Sequence, residues 1–273
     1  MLGYYAAQFL MSQISGDLSV TNESLYHQVI CVSIVSHGHG GMVESLVADL
    51  LRFPEVGLIT ITCNIPEPLQ IPENPKIVFV QNVKPAGFAA NHNAAFRDCR
   101  LPYFCPLNPD VQLPVNPFSF LLAVLQEPNA AIVAPIVRNS LDAVEDSMRF
   151  FPTIRSLLSK ALGGVDGRHA VYTAPLFFYP EWVAGMFMLF RSSSFAQLGG
   201  FDPHFFLYYE DVDICIRVWK GGMKVLACPR AFVVHDAQRS SRRNLQHLRW
   251  HLASMARYFF KHWGRLPAVP KNE

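Results

Sequence analysis

The run Val29-Ile30-Cys31-Val32-Ser33-Ile34-Val35 is almost wholly β-branched or apolar, and it stops abruptly at Ser36-His37-Gly38-His39-Gly40-Gly41. A strand with one wet face would alternate polar and apolar residues. This one does not, so it reads as a strand buried on both faces of a parallel sheet, with helices covering each side. In such sheets ligands gather at the carboxyl ends of the strands, where the glycine-containing loop begins.

The pattern continues down the chain. Helical spacing over Met42 to Leu51 is followed by strand-like Leu58-Ile59-Thr60-Ile61-Thr62-Cys63, a proline-rich loop from Asn64 to Pro75, a third strand at Lys76 to Val80 and a helix from Phe88 to Arg97. Tyr103 to Leu107 reads as a strand ending at Asn108-Pro109-Asp110, followed by a helix over Pro117 to Gln126 and a strand at Ala130 to Pro135. Val137 to Pro180 loses clear periodicity and reads as an irregular, partly helical insert able to cover a site. Order returns at Trp182 to Arg191. An amphipathic helix spans Asp211 to Trp219, and two short strands are expected at Met223 to Cys228 and Ala231 to Val234. The expectation is an α/β fold with a mixed, mainly parallel sheet flanked by helices.

With 273 residues, 51% hydrophobic and 16% charged, the chain can bury a full core, which excludes disorder. Its longest apolar stretches, Phe118 to Leu125 and Trp182 to Phe190, are too short to cross a bilayer. Met1 to Ser12 is apolar and aromatic but lacks a basic flank and a small-residue cleavage site, so residues 1–28 are read as an appendage or weak surface anchor. The catalytic domain is expected over 29–241. The six cysteines form no C-x-x-C pair, which fits a reducing cytoplasm without structural zinc. Arg230 to Glu273 holds nine Lys or Arg against two acids, so 242–273 reads as a basic helical tail. Such a tail is either a solvated helix face or a surface attracted to anionic lipid or a diphosphate; no nucleic-acid motif accompanies it.

Four groups of residues carry candidate chemistry. Asp110, in Asn108-Pro109-Asp110 after an apolar strand, can meet a hard cation such as Mg²⁺ or Mn²⁺ that shares its shell with phosphate oxygens, although an ordinary turn has the same composition. Phe201 to Asp213 sets Glu210, Asp211 and Asp213 among aromatic residues. Acids there stabilise a helix N-terminus, and equally provide a general base whose pKa is raised by a partly apolar pocket. His235 closes a strand and can complete a cation site with Asp110. Gly185 permits close backbone approach to a sugar, and Asn82, Gly87 and Asn91 form a polar loop suited to binding a sugar nucleotide or to capping a helix.

Taken in order, these motifs resemble the family 2 glycosyltransferases, and within them the bacterial rhamnosyltransferase-like branch. The resemblance runs from about Val29 to Ser241 and is most specific from Trp182-Val183-Ala184-Gly185 through Gly199-Gly200-Phe201-Asp202, Phe205-Phe206-Leu207-Tyr208-Tyr209-Glu210-Asp211-Val212-Asp213 and on to His235. It implies a GT-A fold, a nucleotide-diphosphate sugar donor and a divalent cation. Asn108-Pro109-Asp110 stands where the family carries its D-x-D-like motif, which makes Asp110 a metal ligand with His235 and puts Asn108 in place of the first acid. Asp211 matches the catalytic base, with Glu210 beside it. Ser36, Asn64 and Gly185 join the donor site. The implied reaction is a single inverting displacement onto a glycan or lipid-linked glycan hydroxyl in cell-surface polysaccharide synthesis, with dTDP-rhamnose as the family-level donor. The implied location is cytoplasmic, at the inner face of the plasma membrane.

Two positions depart from the pattern. Ser36-His37-Gly38 stands where relatives often have Tyr-Asn, and Cys63-Asn64 where many carry Asp-Asn, which bears on nucleotide specificity. Two other functions are compatible with such a fold. A non-catalytic sugar-nucleotide or glycan-binding relative would be expected to lose one of Asp110, Asp211 and His235. A sugar nucleotidyltransferase would need a basic glycine-rich loop, and Ser36 to Gly41 contains no Lys or Arg.

Overall fold

The computed structural model describes residues 27–164, 167–169, 176–235 and 245–272. The appendage expected at 1–28 therefore lies almost wholly outside the described residues.

The first strand, β1 (Ile30–Ser36), is buried except at half-buried Val35, as its β-branched composition suggests. Ile30, Val32 and Ile34 enter one core layer while Cys31 enters the other, which is why the run does not alternate. Helix α1 (Gly41–Leu51) buries Val43, Leu46, Val47 and Leu50, a stripe at helical spacing. Next come β2 (Val56–Cys63), β3 (Ile77–Gln81), α2 (Phe88–Asp98), β4 (Tyr103–Leu107), α3 (Phe118–Val124) and β5 (Ala130–Arg138).

The insert contains β6 (Met148–Arg149) and α4 (Ile154–Ala161), the latter started by a capping box between Thr153 and Ser156. Beyond it are β7 (Trp182–Val183), β8 (Leu189–Arg191), α5 (Ser192–Gln197), α6 (Glu210–Lys220), β9 (Lys224–Val234) and α7 (Leu245–His262).

The main sheet has seven strands in the order β3-β2-β1-β4-β8-β5-β9. All neighbours pair in parallel except around β8, which runs antiparallel to β4 and β5. Helices α1 and α3 pack on one face, and α2, α5 and α6 on the other. The second face is rich in phenylalanine: Phe104, Phe190, Phe195 and Phe201 meet edge to face or tilted at 4.9 to 5.9 Å between centroids.

One expectation is corrected. The two short strands expected at Met223 to Cys228 and Ala231 to Val234 are a single strand, β9, whose register against β5 shifts between Cys228 and Phe232. Pro229 cannot donate to the ladder, so the break read in the sequence is a bulge instead of a strand end. Within the basic tail Leu245–His262 form α7, the described residues after it are not helical, and the helix docks on the sheet domain through the buried Tyr258 and His262.

Candidate active site

The chain winds outward from β1 to β2 and β3, then returns to β4 on the other side of β1. In open sheets of this kind the ligand crevice lies at that switch point, here beyond the carboxyl ends of β1 and β4. Asp110 lies three residues past β4. His235 follows the last residue of β9, and Gln112 and Val234 exchange two backbone hydrogen bonds at 2.8 and 3.0 Å that bring the ends of the two segments together. The result is a pair: His235 Nε2 lies 3.2 Å from Asp110 Oδ2.

The other oxygen, Asp110 Oδ1, and the other ring nitrogen, His235 Nδ1, are buried without a hydrogen-bond partner. Burial would push the Asp110 carboxyl up, but the hydrogen bond and charge of His235 outweigh it and hold the group below the usual carboxylate range. His39, from the loop after β1, lies close enough to feel Asp110. Burial depresses its pKa, and the charges of Asp110 and Glu67 oppose that shift. His39 is a site residue that residue-type reasoning passed over, because nothing local distinguishes it from His37.

The β1 loop is held open by an acid from the proline-rich segment. Glu67 accepts hydrogen bonds from the amides of Gly38 at 3.2 Å and Gly40 at 2.9 Å. Both glycines have positive φ, which aims these amides into one concavity. Burial would raise the Glu67 pKa, but hydrogen bonds from Ser36 and from the two amides outweigh it and lower it. Ser36, fully buried, also receives the His39 amide at 3.3 Å, so its hydroxyl closes this loop.

Asn64, Asn82 and Asn91 meet one another. Asn64 Oδ1 accepts from Asn82 Nδ2 at 3.0 Å, from Asn91 Nδ2 at 3.3 Å and from the Ala86 amide at 2.8 Å, while Asn82 Nδ2 donates to Asn91 Oδ1 at 2.8 Å. This network ties the ends of β2 and β3 to the start of α2 and uses up most of the hydrogen-bonding capacity of the three amides. Gly87 is a contact point within the protein: its neighbour Phe88 donates its amide to the Phe206 carbonyl at 3.0 Å. Asn108 donates its backbone amide to Met186 O at 2.9 Å, and the residue is half-buried.

The acids of Glu210-Asp211-Val212-Asp213 divide into separate roles. Asp211 Oδ2 accepts the Gly185 amide at 3.0 Å, and its Oδ1 accepts the Val212 amide at 2.8 Å. Burial nevertheless raises its pKa against the pull of those amides. Glu210 is buried, its Oε2 has no partner, and burial together with the neighbouring Asp211 pushes its carboxyl well above the ordinary range. Asp213, wholly buried, faces the other way, towards Arg217 at 2.8 Å, Lys261 at 2.7 Å and His262 at 2.8 Å. Arg217 thus pairs with an acid, one helical turn on, as its spacing suggests. Tyr208 and Tyr209 enter α6 with φ of +70° and +67°. Two consecutive left-handed residues that are not glycine store strain at the turn that aims Glu210 and Asp211.

The insert supplies a group that the sequence did not reveal. β6 pairs with β7, Met148 opposite Val183 and Arg149 opposite Trp182. Arg149 forms an ion pair with Asp146, and its charge reaches Asp211 and Tyr209.

Several known proteins are similar to this chain in sequence or fold. A family model described as Glycosyltransferase (GlcNAc) matches residues 165–265. Rhamnosyltransferase WbbL of Escherichia coli K12 is 27% identical over 246 residues, spanning 84% of this chain and 92% of the relative. The chain is thus similar to a rhamnosyltransferase along most of its length. The N-acetylglucosaminyl-diphospho-decaprenol L-rhamnosyltransferase of Mycobacterium tuberculosis is 34% identical over 175 residues, 59% of this chain and 56% of its own length, so the match spans about half of that relative. Among solved structures, GalNAc-T7 with UDP, GalNAc and Mn²⁺ superposes with a TM-score of 0.61 at 16% identity, over 77% of this chain and 43% of that one. The fold is GT-A.

The Asp110 and His235 pair suits a divalent cation. A buried carboxylate oxygen with no partner, beside an imidazole, offers hard and borderline donors. Among the described residues no group of three or more His, Cys, Asp or Glu gathers as a complete ligand set. Such a site fits a cation whose remaining ligands are diphosphate oxygens and water.

Proposed function

We propose that the protein transfers a sugar from a nucleotide-diphosphate donor to an acceptor hydroxyl with inversion, with Asp211 as general base. The reading rests on one spatial relation. Asp211 is bonded to the amide of Gly185, and the carbonyl of the next residue, Met186, accepts the amide of Asn108, two residues before Asp110. The base and the Asp110 and His235 pair are thereby coupled through a short, rigid length of backbone.

In this reading a cation held by Asp110 and His235 would neutralise the charge gathering on the departing nucleotide diphosphate. Asp211 takes the proton of the attacking hydroxyl, and its raised pKa places it nearer the working range of a base than an exposed aspartate. The Gly185 amide fixes which oxygen faces the acceptor. Arg149 lies where it can keep Asp211 from rising further and so preserve its ionised form. Asn64, Asn82 and Asn91 hold the donor-side loops in shape. The names of the relatives support rhamnose as the sugar and a lipid-linked diphospho-glycan as the acceptor, and a transfer of that kind belongs to cell-surface polysaccharide synthesis.

The test is binding and turnover of a panel of nucleotide sugars, dTDP-rhamnose included, with Mg²⁺, with Mn²⁺ and with chelator. Wild type binds one donor in the presence of metal. Asp110→Ala loses that binding, whereas Asp211→Asn keeps it and loses turnover by at least roughly a hundredfold. If no nucleotide sugar binds under any metal condition, the proposal is wrong. The acid limb of the wild-type rate profile should lie above the ~3.9 of an unperturbed aspartate, because the base must be ionised and burial raises its pKa.

A further inference from the structure

Helix α7 uses only one face to dock. His247, Ser254, Tyr258 and His262 point inward, to the Tyr208 hydroxyl at 3.0 Å, the Leu207 carbonyl at 2.9 Å, the Pro152 carbonyl at 2.8 Å and Asp213 at 2.8 Å. The opposite face carries Leu245, Leu248, Leu252, Ala256, Phe260 and Trp263, spaced three and four apart, so that they form one stripe along the helix. All six are exposed, Phe260 by 93% and Leu245 by 80%.

The neighbouring helix repeats the design. α4 approaches α7 through the Pro152 contact, and the charge of Lys160 reaches His251. It exposes Ile154 and Leu158, continued by Leu162 at its end, again four residues apart. Exposed apolar residues scattered singly need no explanation, but two neighbouring helices that each expose an apolar stripe do.

The charge on these helices is one-sided. α7 contains Arg249, Arg257 and Lys261 and no acid; α4 contains Arg155 and Lys160 and no acid. Lys261 is committed inward to Asp202 and Asp213, while Arg155, Lys160, Arg249 and Arg257 are exposed. Leucine, phenylalanine and tryptophan flanked only by cations are the composition of a helix lying in the plane of a membrane surface. A second copy of this chain would bring the same cations against themselves, so charge disfavours it as the occupant. No helix among the described residues is long and apolar enough to cross a membrane.

We propose that the outer faces of α7 and α4 dock the protein on a bilayer of anionic lipid. The inner face of α7 touches Tyr208 and Tyr209, immediately before Glu210, so one helix thickness of about 10 Å separates the docking surface from the catalytic turn. An acceptor anchored in lipid would thus meet Asp211 without leaving the surface. This last point rests on the transfer reaction proposed above; the docking itself does not.

Flotation of the full chain with vesicles of phosphatidylglycerol and phosphatidylcholine, against phosphatidylcholine alone, tests it. Wild type floats with the anionic vesicles. The variant Leu248→Gln, Leu252→Gln, Phe260→Ser, altered only at exposed positions, binds them at least roughly tenfold more weakly. The variant Arg249→Gln, Arg257→Gln loses roughly fivefold per charge removed, and added salt acts in the same direction. The proposal fails if wild type does not float, if the apolar variant floats as well as wild type, or if that variant instead converts a dimer to a monomer with flotation unchanged. Calorimetric donor binding on the same samples keeps the two readings apart. Flotation without donor binding overturns the transferase reading alone, and donor binding without flotation overturns the docking alone.

Discussion

A Cβ built on Gly87 would lie 2.5 Å from the carbonyl oxygen of Phe206 and 2.9 Å from its Cα. Neither is a flexible side-chain end, so the backbone itself must move. Gly87→Ala is expected to cost roughly 1 to 3 kcal/mol in urea unfolding and to lower turnover, because the displaced segment leads directly into Glu210. A second single-residue effect is pH-dependent. His92 is fully enclosed, bonded to Ser33 at 2.8 Å, and burial lowers its pKa to about 3. The unfolded chain therefore takes up this proton before the folded one does. The contribution to stability is complete above about pH 6.5 and falls as the pH drops from there towards about 3, by at most about 1.4 kcal/mol per pH unit. Unfolding titrations across that window should show a shallower slope for His92→Gln than for wild type. At this scale Asp110 and His235 stood out because each follows a recognisable strand, and Asp211 because it opens an amphipathic helix. Arg149 was not, since its strand is only two residues long and exists by pairing with β7. The asparagines illustrate a different limit: composition announces polarity but not whether the partner is a ligand or another side chain.

Among the elements, α6 shows how adjacent acids come to differ. Successive helical residues turn through about 100°, so Asp211 faces Gly185 while Asp213 faces α7. Burial would push Asp213 up, but hydrogen bonds and charge from His262, Arg217 and Lys261 hold its pKa below the ordinary range. Removing that carboxylate leaves Arg217 and His262 without the acid they share and Lys261 with Asp202 alone. Asp213→Ala should lower stability by roughly 3 to 5 kcal/mol in denaturant unfolding, and should raise amide exchange across α7 more than across β1. The parallel core was readable from its continuous apolar runs. The docking of α7 was not, because its basic composition fits a solvated helix equally well and the deciding partner lies forty-nine residues away. The bulge in β9 was misread as a strand end for a related reason: proline interrupts a ladder locally, and only the partner strand shows whether pairing resumes.

At the scale of the whole molecule, the site draws on segments from β1, β4, the insert, α6 and the end of β9, which are distant in sequence and joined only when the sheet is complete. Any ligand that bridges them should therefore stabilise the fold as a unit. The proposed donor needs a cation between its diphosphate and the Asp110 and His235 pair, so the two ligands should stabilise together and weakly apart. At a donor concentration about 100 times its dissociation constant, linkage gives about 2.7 kcal/mol, enough to raise Tm by several degrees. In the presence of chelator most of that shift should vanish for wild type. Asp110→Ala should show no donor shift with or without metal, whereas Asp211→Asn should retain the metal-dependent shift in full, because its carboxylate serves the acceptor and not the diphosphate. A donor shift insensitive to both chelator and Asp110→Ala would mean that binding is carried by the loops around Gly38 and Asn64 alone, and would remove the cation from the proposed reaction.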